Sequence, residues 1–186
     1  MRKNFGQQTW FYPMPVLIVA AYDEKGNANA MNAAWGGIYD YKKIMLCLDE
    51  SHKTTQNIKS TKAFTVSFAD AEHVKECDYL GIASGNKVAD KLTKAGFTIE
   101  KSNFVNAPII KELPMCLECN LIKFDDNGNI IAEIVNVSAD EKILDEKGTI
   151  EPEKLQAISY DGIKHNYLKV SGIVGKAFSD GKELDK

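Results

Sequence analysis

Two strand-like stretches, Met115 to Phe124 and Ile130 to Ser138, flank the loop Asp125-Asp126-Asn127-Gly128-Asn129. Asp and Asn side chains bond to nearby backbone and Gly supplies a positive φ, so this loop is turn chemistry and its flanks read as a hairpin. Other short β signals surround it. Val16 to Tyr22 is a compact apolar run rich in branched residues, ended by the turn cluster Asp23-Glu24-Lys25-Gly26-Asn27. Ala28 to Trp35 is small and semi-polar, and Gly36-Gly37 are expected to break it. Lys43 to Asp49 reads as a second buried strand, and a last strand is expected from about Tyr167 to Val174. In Ala63 to Ala69, Phe64, Val66 and Phe68 alternate with Ala63, Thr65 and Ser67, the period of a half-buried strand.

Helical patterns are fewer. Lys53 to Lys62 is one, with Ser51 or Thr54 as N-cap, followed by Ala71 to Ile82 and by Lys87 to Ala95, closed by Gly96. Many short strands with a few inserted helices predict a mainly β chain, a closed or split β-barrel with helical additions. A doubly wound sheet would need a regular strand–helix alternation that is not sustained. The 186 residues suit a single domain, with a core at about 10–180 and a charged tail, 179–186, expected to fray. A chain this long buries about 70% of its unfolded surface and needs neither disulfide nor metal to fold.

Charge and composition exclude several classes of function. With 44% hydrophobic and 26% charged residues the chain is no disordered or collagen-like polymer. A net charge of −3 offers no basic stripe for nucleic acid. The run Val16 to Ala21 is far short of the ~20 apolar residues of a spanning helix. The polar start, Met1 to Gln8, has no signal-peptide core. Four cysteines in a chain this size are no disulfide scaffold, so a reducing, cytoplasmic setting is expected.

Several motifs fail on spacing. Cys116 and Cys119 form C-x-x-C inside a predicted strand, where an odd separation sends the thiols to opposite faces. Gly81 to Lys87 and Gly172 to Ala177 look like phosphate loops but lack the P-loop spacing and its Ser/Thr ending, and there is no G-x-G-x-x-G. No G-x-S-x-G elbow supports a nucleophilic serine. His73 reads as a solvated or capping residue in a helix. His165, at the mouth of the last strand, has a pocket role only as the minor reading.

One segment carries chemistry. In Asp49-Glu50-Ser51-His52-Lys53-Thr54-Thr55-Gln56-Asn57-Ile58 a strand ends, and hydroxyls, a histidine and a lysine crowd the first helical turn. Free N–H groups and the helix dipole favour an anion there, and a phosphate monoester would be well held. The same residues also suit an ordinary N-cap with a solvated lysine.

Asn29 to Trp35, followed by Ser51-His52-Lys53-Thr54-x-x-Asn57-Ile58 and Phe64-Thr65-Val66-Ser67, resembles the flavin reductase-like, flavoredoxin-type proteins. Asp78-Tyr79-Leu80-Gly81-x-x-Ser84-Gly85 with Asp90-Lys91, and Tyr167 to Gly172 with Gly175 to Phe178, resemble that family's later blocks. The resemblance spans about residues 10–180. It implies the FMN-binding split-barrel fold and a homodimer. It also implies that Met31, Asn32, Ala33, Ala34 and Trp35 lie along the isoalloxazine ring, mostly through backbone groups. Leu48 and Asp49 would flank the ring or ribityl chain. Ser51, His52, Lys53 and Thr54 would take the phosphate, and Ser84 and Lys91 would approach from the second block. Asn32, Ala33 and Ala34 stand where relatives often carry Ser or Thr, and His52 where an Arg is common. The small residues there also suit plain tight strand packing.

The activity implied is an oxidoreductase in which flavin N5 accepts hydride from NADH or NADPH and electrons pass to a flavin, a metal complex or a protein. No side chain is nominated as a catalytic acid or base. Two alternatives are an FMN-bearing electron carrier without NAD(P)H activity, and a non-enzymatic β-barrel interaction module. The module would want aromatics interleaved with basic residues, which Trp10-Phe11-Tyr12 lacks.

Overall fold

The computed structural model describes residues 1–185; Lys186, the end of the tail expected to fray, lies outside them. The chain runs β1 (Met14–Pro15), β2 (Leu17–Tyr22), β3 (Ala28–Ala33), β4 (Gly36–Asp40), β5 (Lys43–Leu46), α1 (Lys53–Thr61), β6 (Ala63–Phe68), α2 (Val74–Ile82) and α3 (Lys91–Lys94). It continues with β7 (Ile99–Lys101), β8 (Pro108–Ile110), β9 (Met115–Phe124), β10 (Ile130–Ala139), α4 (Pro152–Leu155), β11 (Ile158–Asp161) and β12 (Asn166–Lys169). Single 3₁₀ segments lie at Glu141–Ile143 and Asp180–Asp185. No helix among the described residues is long and apolar enough to cross a membrane.

Seven strands form one antiparallel sheet in the order β3-β2-β6-β9-β10-β5-β4. Its two outermost strands, β3 and β4, are neighbours in the chain, joined only by Ala34-Trp35. A residue spans at most about 3.5 Å, so the two edges have to meet and the sheet has to curl into a half-barrel. Gly36 stands at that junction. A Cβ there would lie 2.5 Å from Leu46 Cδ2 and 3.0 Å from Leu17 Cδ1, side chains from opposite halves of the sheet. The strand begun at Ala28 does end ahead of the glycines, at Ala33, and Gly36-Gly37 open the next strand, β4.

Strand alternation divides the core in two. Leu17, Val19 and Ala21 of β2 point into the barrel with Leu46, Phe64, Val66, Leu117, Cys119 and Ile130, and Ile58 of α1 joins them. Ile18 and Ala20 point the other way, onto Leu80 of α2, Leu92 of α3, Phe97 and Ile110. Burying such side chains contributes roughly 1.5–3 kcal/mol each. Because β8 and the segment before it cover its outer face, with the Thr65 hydroxyl donating to Pro108 O at 2.6 Å and Ala63 packed on Val105 and Ala107, β6 is buried on both sides and not half-buried as its period suggests. Cys116 and Cys119 do face opposite ways, with Cys119 in the barrel and Cys116 outside that cluster. Burial pushes the Cys116 thiol up to about 11 and Cys119 higher still.

The hairpin forms where its loop requires. Asp125 Oδ1 accepts from the N–H groups of Asn127 (2.9 Å) and Asn129 (2.8 Å), Gly128 takes a φ of 79°, and Phe124 pairs with Ile130. Elsewhere the boundaries shift. β12 stops at Lys169 because its partner β11 begins opposite it at Ile158, so residues expected to extend that strand to Val174 are irregular. The helix expected over Lys87 to Ala95 is only α3, since Ser84 O takes the N–H groups of Lys87 and Val88 in a turn. The described part of the tail holds a 3₁₀ segment over Asp180–Asp185. Strands β1, β7, β8 and β11 carry no clear period in the sequence.

Candidate functional site

The turn before α1 builds an anion-seeking helix end. Asp49 Oδ1 accepts the Ser51 N–H at 2.8 Å, and the Ser51 hydroxyl and N–H hold the Asp49 carboxyl below the usual carboxylate range. His52 is extended and is the N-cap, with no side-chain cap bond, so neither Ser51 nor Thr54 caps the helix as expected. The first intrahelical bond runs from Gln56 N–H to His52 O, which leaves the N–H groups of Lys53, Thr54 and Thr55 ahead of it. Acidic residues usually occupy a first turn to offset the dipole. Here that turn has none and carries Lys53 instead.

Two other elements complete a cleft of about 270 Å³. One is the edge strand β3. The Thr54 hydroxyl donates to Asn29 Oδ1 at 2.9 Å, which ties α1 to β3 and leaves that turn's backbone N–H groups as its polar offering. The other is the turn Gly81 to Gly85 after α2. Gly85 sits so close over Asn29 that a Cβ would lie 2.3 Å from the Asn29 amide nitrogen. The turn is pinned from below by Lys91, whose Nζ donates to Leu80 O (3.1 Å) and Ala83 O (2.9 Å) at the C-terminal end of α2. Lys91 is buried, and burial lowers its pKa to about 8. Asn86 Nδ2 donates to Ser51 O at 3.0 Å and joins this turn to the one before α1.

The cleft gathers Met31, Asn32, His52, Lys53, Thr54, Ser84 and Lys91 from four separated stretches of sequence. Asn32 Nδ2 donates to Cys77 O at 3.1 Å, fastening β3 to α2. On the same side the Tyr167 hydroxyl donates to Asp78 Oδ1 at 2.7 Å; burial and that carboxylate raise the phenol's pKa. Other expected residues stand apart. Ala33 and Leu48 pack with the barrel core, and Asp49 and Ser51 lie on the exposed turn before α1. Ala34 and Trp35 line a second, apolar groove of about 660 Å³ with Trp10, Phe11, Ile38 and Met45. His165 lies in neither: it is exposed and bonds the Tyr160 hydroxyl through Nδ1 at 2.5 Å.

Asn29 and the stretch Gly81 to Gly85 are the site residues that spacing alone passes over. The glycines were visible as a loose phosphate-loop likeness, but their role depends on close packing against β3.

The pattern of the flavin reductase like domain matches residues 9–158. The chain belongs to the flavin reductase-like family. Flavoredoxin of Desulfovibrio vulgaris (Miyazaki F) superposes with a TM-score of 0.94 at 33% identity, over 97% of this chain and 100% of that one. Flavoredoxin from Methanosarcina acetivorans superposes at 0.87 with 28% identity, over 99% and 100%. A Shewanella frigidimarina flavin reductase-like protein with a split barrel domain, 18% identical, superposes at 0.78 over 89% and 86%, which bears on the fold alone. The expected mainly β split barrel with inserted helices is thus the fold of this flavin reductase-like chain.

Proposed function

We propose that this flavin reductase-like chain binds FMN in the cleft between β3, α1 and the Gly81–Gly85 turn, and serves as an FMN-dependent oxidoreductase using NADH or NADPH. The observation that carries the reading is the first turn of α1, with three N–H groups ahead of the first helical bond, no acid and one lysine. The donor set suits a phosphate dianion, and the glycines at 81 and 85 keep the facing wall close. Lys53 supplies a mobile charge, Lys91 a fixed one behind the turn, and the unpaired outer edge of β3 offers N–H and C=O groups to a polar ring edge. When bound, FMN supplies the redox chemistry, taking hydride equivalents from a nicotinamide and passing electrons to a flavin, a metal complex or a protein. The protein's residues hold and orient; none is assigned a proton-transfer step.

A second reading, an FMN-bearing electron carrier that does not use NAD(P)H, draws on the likeness to two flavoredoxins. Purified protein is soaked in FMN, desalted and mixed anaerobically with NADH or NADPH. Rapid loss of the flavin band at about 450 nm supports the reductase. A band that persists with both nucleotides favours the carrier. The exposed apolar side chains of β4 and of both chain ends support assembly as a homodimer.

A further inference from the structure

Asn32 sits on the edge strand β3, where the cleft meets α2. Its Nδ2 donates to Cys77 O at 3.1 Å. The Tyr167 hydroxyl lies beside the same amide and gives its hydrogen to Asp78 Oδ1 at 2.7 Å. With that hydrogen spent, the phenol oxygen offers Asn32 only lone pairs. Burial and Asp78 raise the Tyr167 pKa, and Asn32 opposes them, as an amide N–H donor toward the phenol oxygen does. Two acceptors thus face one end of the Asn32 side chain, and only its NH2 group satisfies both. Gly81 packs against the same side chain, so closely that a Cβ there would lie 3.2 Å from Asn32 Cβ. The other end of the amide, Oδ1, accepts no hydrogen bond among the described residues.

We infer that Asn32, its amide locked by Cys77 O and by the Tyr167–Asp78 pair, is an acceptor-only contact for N5 of the flavin ring and favours the reduced ring over the oxidised one. This rests on the FMN cleft proposed above. A strand rises about 3.3 Å per residue, so Asn32 stands about 10 Å along β3 from Asn29, which is bonded to the α1 turn. With the phosphate at that turn and the ribityl chain along the strand, the central ring reaches Asn32 before the outer imide does. That central ring carries both the ribityl chain and N5. Hydride transfer from a nicotinamide places two electrons and one hydrogen on N5 and leaves the nicotinamide oxidised. N5 then changes from an acceptor, which Oδ1 repels, to an N–H donor, which Oδ1 binds. Tyr167 and Asp78 act only through Asn32: they are positioning residues that set which end of the amide the ring meets.

The test is the midpoint potential of bound FMN, read anaerobically against redox dyes, with the Kd for oxidised FMN measured on the same samples. Asn32→Leu keeps the size of the side chain without an acceptor. Tyr167→Phe keeps the ring and removes one of the two groups that hold the amide. Circular dichroism checks both folds. Expected for Asn32→Leu is a loss of affinity for reduced FMN at least tenfold greater than the loss for oxidised FMN, a fall of about 30 mV for a two-electron couple. Tyr167→Phe should lower the potential in the same direction by less, a change that looser packing alone would not produce. Should Asn32→Leu not fold, the Tyr167→Phe potential decides alone. Equal losses in the two oxidation states, or potentials like the parent's, overturn the proposal while leaving the cleft standing. A parent that retains no FMN overturns the cleft and the proposal with it.

Discussion

Lys53→Ala removes a half-buried ammonium from the first position of α1, a turn with no acidic residue and three N–H groups ahead of the first helical bond. A charge-assisted hydrogen bond to a phosphate contributes about 1.5–3 kcal/mol, and the partial exposure of this lysine places its effect toward the lower end, about 1–2 kcal/mol. That converts to an FMN dissociation constant raised about 5–30-fold. Titration of apo-protein into FMN, followed by flavin fluorescence at low and moderate salt, reads the change directly. The difference between parent and variant should shrink as salt rises, since a surface charge is being screened. An affinity within twofold of the parent at low salt would refute the placement of the phosphate at α1.

Thr54→Val should act through the fold. Removing the hydroxyl leaves the buried Asn29 Oδ1 without its donor, so stability to urea should fall by about 1–3 kcal/mol, and an unchanged midpoint would contradict that bond. Gly36→Ala forces a Cβ against buried Leu46 and Leu17 and the Met45 carbonyl, and should destabilise by about 1–3 kcal/mol, read from the same midpoint. Lys91 has a folded pKa lowered to about 8, so between about pH 8 and 9.5 the unfolded chain holds more protons than the folded one. Apo-protein stability should therefore rise across that window relative to Lys91→Met, and parallel profiles for the two proteins would contradict the burial of a charged amine.

The local chemistry of this fold was legible and its closure was not. The hairpin at Asp125 to Asn129 and the helix at Lys53 are set by residues within a few positions of each other, so turn chemistry and helical pattern reach them, while the cap itself falls on His52 and not on Ser51 or Thr54. Gly36-Gly37 signal the break that ends β3, but their type does not show that they open β4. Their real constraint is tertiary, the meeting of Leu17 and Leu46 from opposite halves of the sheet. The site divides the same way. Lys53 and the acid-free turn could be read directly as an anion site. The pinning of Gly81–Gly85 by Lys91 and Asn86 depends on contacts between distant elements. Ala33 and Leu48 pack their side chains against the barrel core, Ala33 from β3 and Leu48 from the segment after β5, so any contact of Ala33 with a ring would come from its backbone.

The central claim is that the phosphate of FMN is what the α1 end holds. Comparing FMN with riboflavin, which keeps the ring and ribityl chain but has no phosphate, tests it most directly. Parallel fluorescence titrations should give FMN an affinity at least about tenfold higher, the equivalent of one charge-assisted contact or more. Equal affinities for the two, or no binding of either, would contradict the account.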